Sequence, residues 1–280
     1  MRSQPEPPVA LPFRPSKRFG QNFLVDKRVS DRIINSLGPR ADETIIEIGP
    51  GQGALTQRLV AEAGRVVAIE FDRNLAPALQ TKLGSNPNFK LVQDDALVTD
   101  LCVAIAPAKT ARVVANLPYN ISTAILQRLI EQRDCVTEMV LMLQREVVDR
   151  LTAQAGATER GYLSVMVEAY CETERLFDVA PGSFRPVPKV WSSVVRLKSR
   201  GVIGFAVRDE AVLWQVVSAG FAQRRKTILN NLRNAPEPLQ TRIRDHGGAS
   251  IVLCVAGVEL QRRAETLTGA EWAAISRALE

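Results

Sequence analysis

Apolar runs alternate with stretches of helical period over the first two thirds of the chain. Segments such as Ile45-Ile46-Glu47-Ile48 and Val66-Val67-Ala68-Ile69 predict strands near 44–48, 65–69, 89–93, 111–115 and 137–143. The stretches 54–63 and 122–133 read as amphipathic helices between them. Strand and helix in alternation predict a parallel, doubly wound α/β sheet. Beyond Ser199 the strand pattern stops and the sequence becomes helical to its end. The last helix is marked by Thr268 and Glu271 in capping-box spacing, followed by Trp272, Ile275 and Leu279 on one face. A linker is expected around 199–205, dividing a larger α/β body, 17–200, from a small helical domain, 205–280. Residues 1–16 hold five prolines and little periodicity, which predicts a disordered tail.

A chain of 280 residues, 46% hydrophobic, can bury a full core. No stretch approaches the roughly 20 apolar residues that span a bilayer, and the N-terminus lacks a secretory apolar core, so no membrane is expected and the cytoplasm is the expected address. Cys102, Cys135, Cys171 and Cys254 are scattered with no close pair. They are expected to be reduced and mostly buried, and no metal site is expected. The net charge of +6 and a pI near 9.4 suggest a polyanionic partner. Its distribution strengthens this: residues 14–32 hold six basic and two acidic side chains, 185–200 hold five and none, and 221–233 hold four and none. The rest of the chain is net negative, so the basic segments read as a composite surface for a phosphate backbone.

Chemistry enters with the glycine cluster after the first of these strands, Glu47-Ile48-Gly49-Pro50-Gly51-Gln52-Gly53-Ala54. Glycines there let the backbone turn sharply and approach a ligand. The spacing also satisfies a dinucleotide fingerprint, with Glu70 placed 19 residues after Gly51 to bind ribose hydroxyls. The cluster alone therefore leaves a nicotinamide cofactor and S-adenosylmethionine both open. Gln93-Asp94-Asp95-Ala96 ends the third strand and offers Asp95 to an adenine amine, although Asp95 alone would suit a strand-end cap.

The discriminating signal is Asn116-Leu117-Pro118-Tyr119, directly after the fourth strand. In an open α/β sheet, ligands sit beyond the carboxyl ends of the strands at the switch point, so this tetrapeptide would face the cofactor. An adenine amine is a poor nucleophile because its lone pair is delocalised into the ring. The Asn116 side-chain oxygen and a neighbouring backbone carbonyl can accept its two protons and favour a pyramidal nitrogen, while Tyr119 offers a ring for stacking. No general base is required, because the amine becomes acidic once methylated.

Four segments together resemble the ribosomal RNA adenine N6-dimethyltransferases, and among them the bacterial small-subunit 16S branch. They are Lys17-Arg18-Phe19-Gly20-Gln21-Asn22-Phe23-Leu24, Glu47-Ile48-Gly49-Pro50-Gly51, Asn116-Leu117-Pro118-Tyr119-Asn120-Ile121-Ser122-Thr123 and Phe221-Ala222-Gln223-Arg224-Arg225-Lys226-Thr227. The resemblance implies a Rossmann-like S-adenosylmethionine-dependent fold with a seven-stranded, mostly parallel sheet. It implies dimethylation of two adjacent adenines near the 3′ end of 16S rRNA in the immature 30S subunit, by a monomer. Gln21, Asn22 and Leu24 would close over the cofactor, Gly49 and Gly51 would approach it, Glu70 would hold its ribose and Asp95 its adenine. Asn116 would stand between cofactor and target, with Leu117, Pro118 and Tyr119 beside it. Phe184 would be the second aromatic sandwiching the flipped adenine; taken alone, Phe184 suits core packing. The loop departs from the family by having Gly182-Ser183 after a single Pro181.

For RNA, the expected contacts are Lys17, Arg18, Arg185, Lys189, Arg224, Arg225 and Lys226, with Gln223 to Lys226 opening an amphipathic helix over Ile228, Leu229 and Leu232. The lone His246, beside Gly247-Gly248, suits a helix end. Three rival readings differ in what they explain. A sister enzyme acting on 23S RNA shares the core, but Leu117 and the Arg224-Arg225-Lys226 segment argue against it. A nicotinamide oxidoreductase explains the glycines and Glu70 but not Asn116 to Tyr119. A non-catalytic RNA-binding or assembly role explains the charge and is compatible with catalysis.

Overall fold

The computed structural model describes residues 21–280. The Pro-rich segment 1–16, Lys17 and Arg18 lie outside the described residues. Nine strands are present among those described: β1 (Phe23–Leu24), β2 (Thr44–Ile48), β3 (Arg65–Ile69), β4 (Phe89–Val92), β5 (Ala111–Asn116), β6 (Val136–Gln144), β7 (Cys171–Val179), β8 (Phe184–Arg185) and β9 (Ser192–Ser199). Seven form one sheet in the order β4-β3-β2-β5-β6-β9-β7. The five strands expected from sequence are its parallel part. β9 and β7 extend it antiparallel, and β1 pairs with β8 in a separate two-stranded ladder.

All five residues of β2 are buried because helices cover both faces, so its isoleucines do not alternate with exposed polar residues, and Glu47 is buried among them. One face carries a cluster that includes Ile46, Val67, Val113 and Leu141; the other carries Ile45, Val66, Val114 and Val140. Strand order reverses between β2 and β5, where β2 runs into the Gly49-Pro50-Gly51 turn and β5 ends on Asn116.

The C-terminal helices enclose a third cluster centred on Leu213, Val216, Leu232, Leu253 and Trp272. Thr268 caps helix Gly269–Arg277, with its hydroxyl accepting from Glu271 N and the Glu271 carboxylate accepting from Thr268 N at 2.8 Å. Trp272, Ile275 and Leu279 are all fully buried. This cluster also recruits Val165 from helix Tyr162–Tyr170. Segment 199–205 is tied back to the same helix, where Arg200 N donates to Tyr170 O and Gly204 N to Ala169 O, each at 2.7 Å.

Two sequence expectations need correction. Cys102 and Cys135 are joined in a disulfide, and Cys254 is exposed; only Cys171 is a buried free thiol. The two bonded cysteines are 33 residues apart in sequence, and folding brings the helix after β4 against the start of β6. Arg224, Arg225 and Lys226 do not open a helix. Helix Ile228–Arg233 begins one residue after the Thr227 N-cap, whose hydroxyl accepts from Asn230 N. The three basic residues occupy the exposed turn before it, braced by Asn231 Nδ2 donating to Gly220 O and Gln223 O. A threonine hydroxyl satisfies a free helix N–H, which the side chains before it cannot do. Ile228, Leu229 and Leu232 are buried as expected. His246 is the C-cap of helix Leu239–Asp245.

Candidate functional site

A cavity of about 250 Å³ opens at the reversal of strand order. It is lined by Gln21, Asn22, Leu24, Gly49, Gly51, Glu70, Asp95, Asn116, Leu117, Pro118 and Tyr119, which are eleven of the positions singled out from sequence.

The floor follows from the turn after β2. Gly49 and Gly51 take φ of +66° and +57°, a region that side chains disfavour. Nothing lies within 4 Å of where a Cβ on Gly49 would stand, so that backbone faces open space, whereas a Cβ on Gly51 would meet Phe23 Cδ1 at 3.1 Å. Glu70 ties this turn to the next strand: one carboxylate oxygen accepts from Gly51 N at 3.0 Å and the other from Asp72 N at 2.8 Å. Burial raises the Glu70 pKa, and the two backbone donors oppose that shift. Glu47 lies deeper. Its pKa is pushed up to about 8 by burial, with nearby Glu70 adding to the effect, and its Oε2 has no hydrogen-bond partner among the described residues.

Asp95 is both strand-end cap and cavity wall. Its Oδ1 accepts from Leu97 N at 2.9 Å. Asn116 ends β5, and its Nδ2 donates to Asn22 O at 3.1 Å, which leaves Oδ1 as the acceptor end of the amide. The Leu117 side chain is 1% exposed in the core, so its share of the cavity wall is mainly backbone. The Tyr119 hydroxyl lies 2.7 Å from Ser192 Oγ, and burial raises its pKa.

Phe184 corrects an expectation. It does not line the cavity but is fully buried in the core cluster with Leu24, Met142 and Val194. Its pairing opposite Leu24 in the β1–β8 ladder directs the ring into packing. Arg185 and Lys189 are exposed, but Arg196 and Arg200 of the same basic segment are ion-paired with Glu174 and Glu172. Arg224, Arg225 and Lys226 are exposed, with no ion pair to a described residue.

Sequence reasoning missed Asp72, Ser192 and Phe71. Asp72 is buried and accepts from Gln21 Nε2 at 2.8 Å. Its signal was a second acid two residues after Glu70. Ser192 carried no local signal, because its partner is 73 residues away. Glu70, Asp72, Asp94 and Asp95 line the cavity beside Glu47, whose proton burial retains, and no lysine or arginine does among the described residues. Such a wall favours a ligand with positive charge and repels a pyrophosphate. No group of three or more candidate metal ligands is present among the described residues, and no described helix is long and apolar enough to cross a membrane.

Residues 13–274 match the sequence family described as ribosomal RNA adenine dimethylase. The ribosomal RNA small subunit methyltransferase A of Hahella chejuensis is 48% identical over 217 residues, covering 78% of this chain and 80% of that protein. Its namesake in Saccharophagus degradans is 40% identical over 266 residues, 95% of each chain. Among solved structures, a dimethyladenosine transferase from Plasmodium falciparum superposes with a TM-score of 0.72 at 23% identity, covering 90% of this chain and 95% of that one. The 23S rRNA methyltransferase ErmE gives 0.67 at 26% identity, covering 92% and 99%.

Proposed function

This chain belongs to the ribosomal RNA adenine dimethylase family, and on that premise we propose that it transfers methyl groups from S-adenosylmethionine to N6 of two adjacent adenines near the 3′ end of 16S rRNA, in the assembling 30S subunit in the cytoplasm. The observation that carries this reading is Asn116, Leu117, Pro118 and Tyr119 standing at the wall of an acidic cavity where strand order reverses. Relatives named for the small subunit reach 40–48% identity, against 26% for the 23S enzyme, which favours the 16S substrate.

The residues fit the cofactor. The open backbone face of Gly49 and the carboxylates of Glu70, Asp72, Asp94 and Asp95 suit a ligand carrying a sulfonium and an ammonium. Glu70 would hold its ribose hydroxyls, Asp95 its adenine amine, and Gln21, Asn22 and Leu24 would close over it. Bound there, S-adenosylmethionine supplies an electrophilic methyl group.

The protein's part is position and electrostatics. Asn116 Oδ1 and a carbonyl of the Leu117-Pro118 pair accept hydrogen bonds from the two N–H groups of the target amine and favour a pyramidal nitrogen, and a proton leaves that nitrogen after it has taken the methyl group. Tyr119, held by Ser192, stacks the base. An adenine must leave its stack to reach this cavity, which favours single-stranded or loop RNA. Arg185, Lys189 and the Arg224–Lys226 turn would contact phosphates, with residues 17–200 forming the catalytic body and 205–280 assisting recognition.

Labelled-methyl transfer to 30S particles lacking the modification, followed by nucleoside analysis, tests the reading. Dimethyladenosine in 16S rRNA is expected. Label confined to naked 23S RNA, or none in either substrate, would overturn it.

A further inference from the structure

The chain has three tryptophans, and two of them are built into packing: Trp272 is fully buried, and Trp214 is half-buried with its Nε1 donating to the Tyr170 hydroxyl at 2.8 Å. Trp191 is different. It is 48% exposed at the end of the loop between β8 and β9, in company with Val187 at 55% and Val190 at 43%. Large apolar side chains gathered in solvent mark a surface that something covers.

The backbone beneath is fixed. Trp191 O accepts from Arg145 N at 2.9 Å, and the next residue, Ser192, is fully buried with its Oγ 2.7 Å from the Tyr119 hydroxyl. Consecutive Cα atoms are about 3.8 Å apart, so the Trp191 backbone immediately precedes the residue that holds Tyr119. The segment that carries it is basic, although Asp178 on the paired strand and Glu146 beside Arg145 lie close by. Residues 179–200 contain no acidic side chain, and Arg145, Arg185 and Lys189 are exposed.

We propose that Trp191, flanked by Val187 and Val190, is a stacking platform for the nucleobase next to the target adenine in single-stranded RNA. This rests on the reading that Tyr119 receives the flipped adenine. Extruding one base leaves its neighbour without a stacking partner, and an exposed indole supplies one without regard to base identity. Arg185 and Lys189 then meet the phosphates on either side of that base. The mixture of an aromatic face with the exposed cations Arg185 and Lys189 fits a nucleic acid strand, whereas an apolar protein surface would leave those cations without counter-charge.

Trp191→Ala and Trp191→Phe variants test it in the full chain, with thermal melting to confirm folding. In Trp191→Ala, KM for 30S particles is expected to rise about tenfold or more with cofactor affinity unchanged, and Trp191→Phe is expected to restore most of it. A single-stranded RNA oligonucleotide carrying two adjacent adenines is expected to quench tryptophan emission in the wild type but not in Trp191→Phe. Unchanged KM in Trp191→Ala, or equal quenching in Trp191→Phe, overturns the platform. A raised KM for 30S particles without any effect on free oligonucleotide binding also overturns it, and assigns the surface to a ribosomal protein. Absence of wild-type transfer to 30S particles would instead defeat the proposed substrate, and the quenching experiment would still decide the platform.

Discussion

Asn116 Nδ2 donates to the backbone oxygen of Asn22 at 3.1 Å, across 94 residues of sequence. The contact spends the donor end of the amide on the N-terminal segment and leaves Oδ1 as an acceptor at the cavity wall. Replacing Asn116 by Ala should lower methyl transfer on the order of 10²-fold or more while leaving cofactor affinity largely intact. Parallel transfer assays and titration calorimetry check this, and equal turnover would remove Asn116 from its role.

Glu70 serves two backbone donors at once, Gly51 N and Asp72 N. Glu70→Gln keeps the shape but turns an amide NH₂ toward one of them. Hydrogen bonds to a charged group contribute about 1.5–3 kcal/mol each, so cofactor affinity should fall by roughly ten- to hundredfold. Binding at wild-type strength would show that the glycine turn holds without this brace.

The buried Glu47 carboxyl, with its pKa near 8, predicts a pH signature. In the unfolded chain the group ionises near its ordinary 4.5. Between those values the folded protein holds a proton that the unfolded chain releases, so this group's contribution to stability falls as pH rises through the window. Each pH unit in the interval costs up to about 1.4 kcal/mol. Glu47→Gln should flatten that slope and raise the melting temperature at pH 8 relative to wild type. Melting curves from pH 5 to 8 with an unchanged slope would refute the assignment.

The exposed turn Arg224-Arg225-Lys226 should act through phosphate contacts. Replacing all three by Ala should weaken RNA binding and reduce the slope of log affinity against log salt by up to about 3, with cofactor affinity unaffected. A salt slope equal to wild type would make the turn structural only.

The sequence by itself determined the five parallel strands, the helical C-terminal part and eleven positions of the cavity wall, because each leaves a local record. Strands buried on both faces read as apolar runs, glycines mark positive φ, and Asn116 to Tyr119 is a contiguous segment. Other features depend on contacts distant in the chain. β7 leaves little local record, because it is largely exposed and its place comes from pairing with β9. The family resemblance implies an aromatic against the target base at Phe184, yet its register opposite Leu24 buries it. The Cys102–Cys135 bond, the Ser192 contact to Tyr119 and the Gln21 contact to Asp72 join residues 33 to 73 positions apart. Only the tertiary structure decides such pairs, since side-chain hydrogen bonds and packing depend on proximity in space, which linear spacing does not encode.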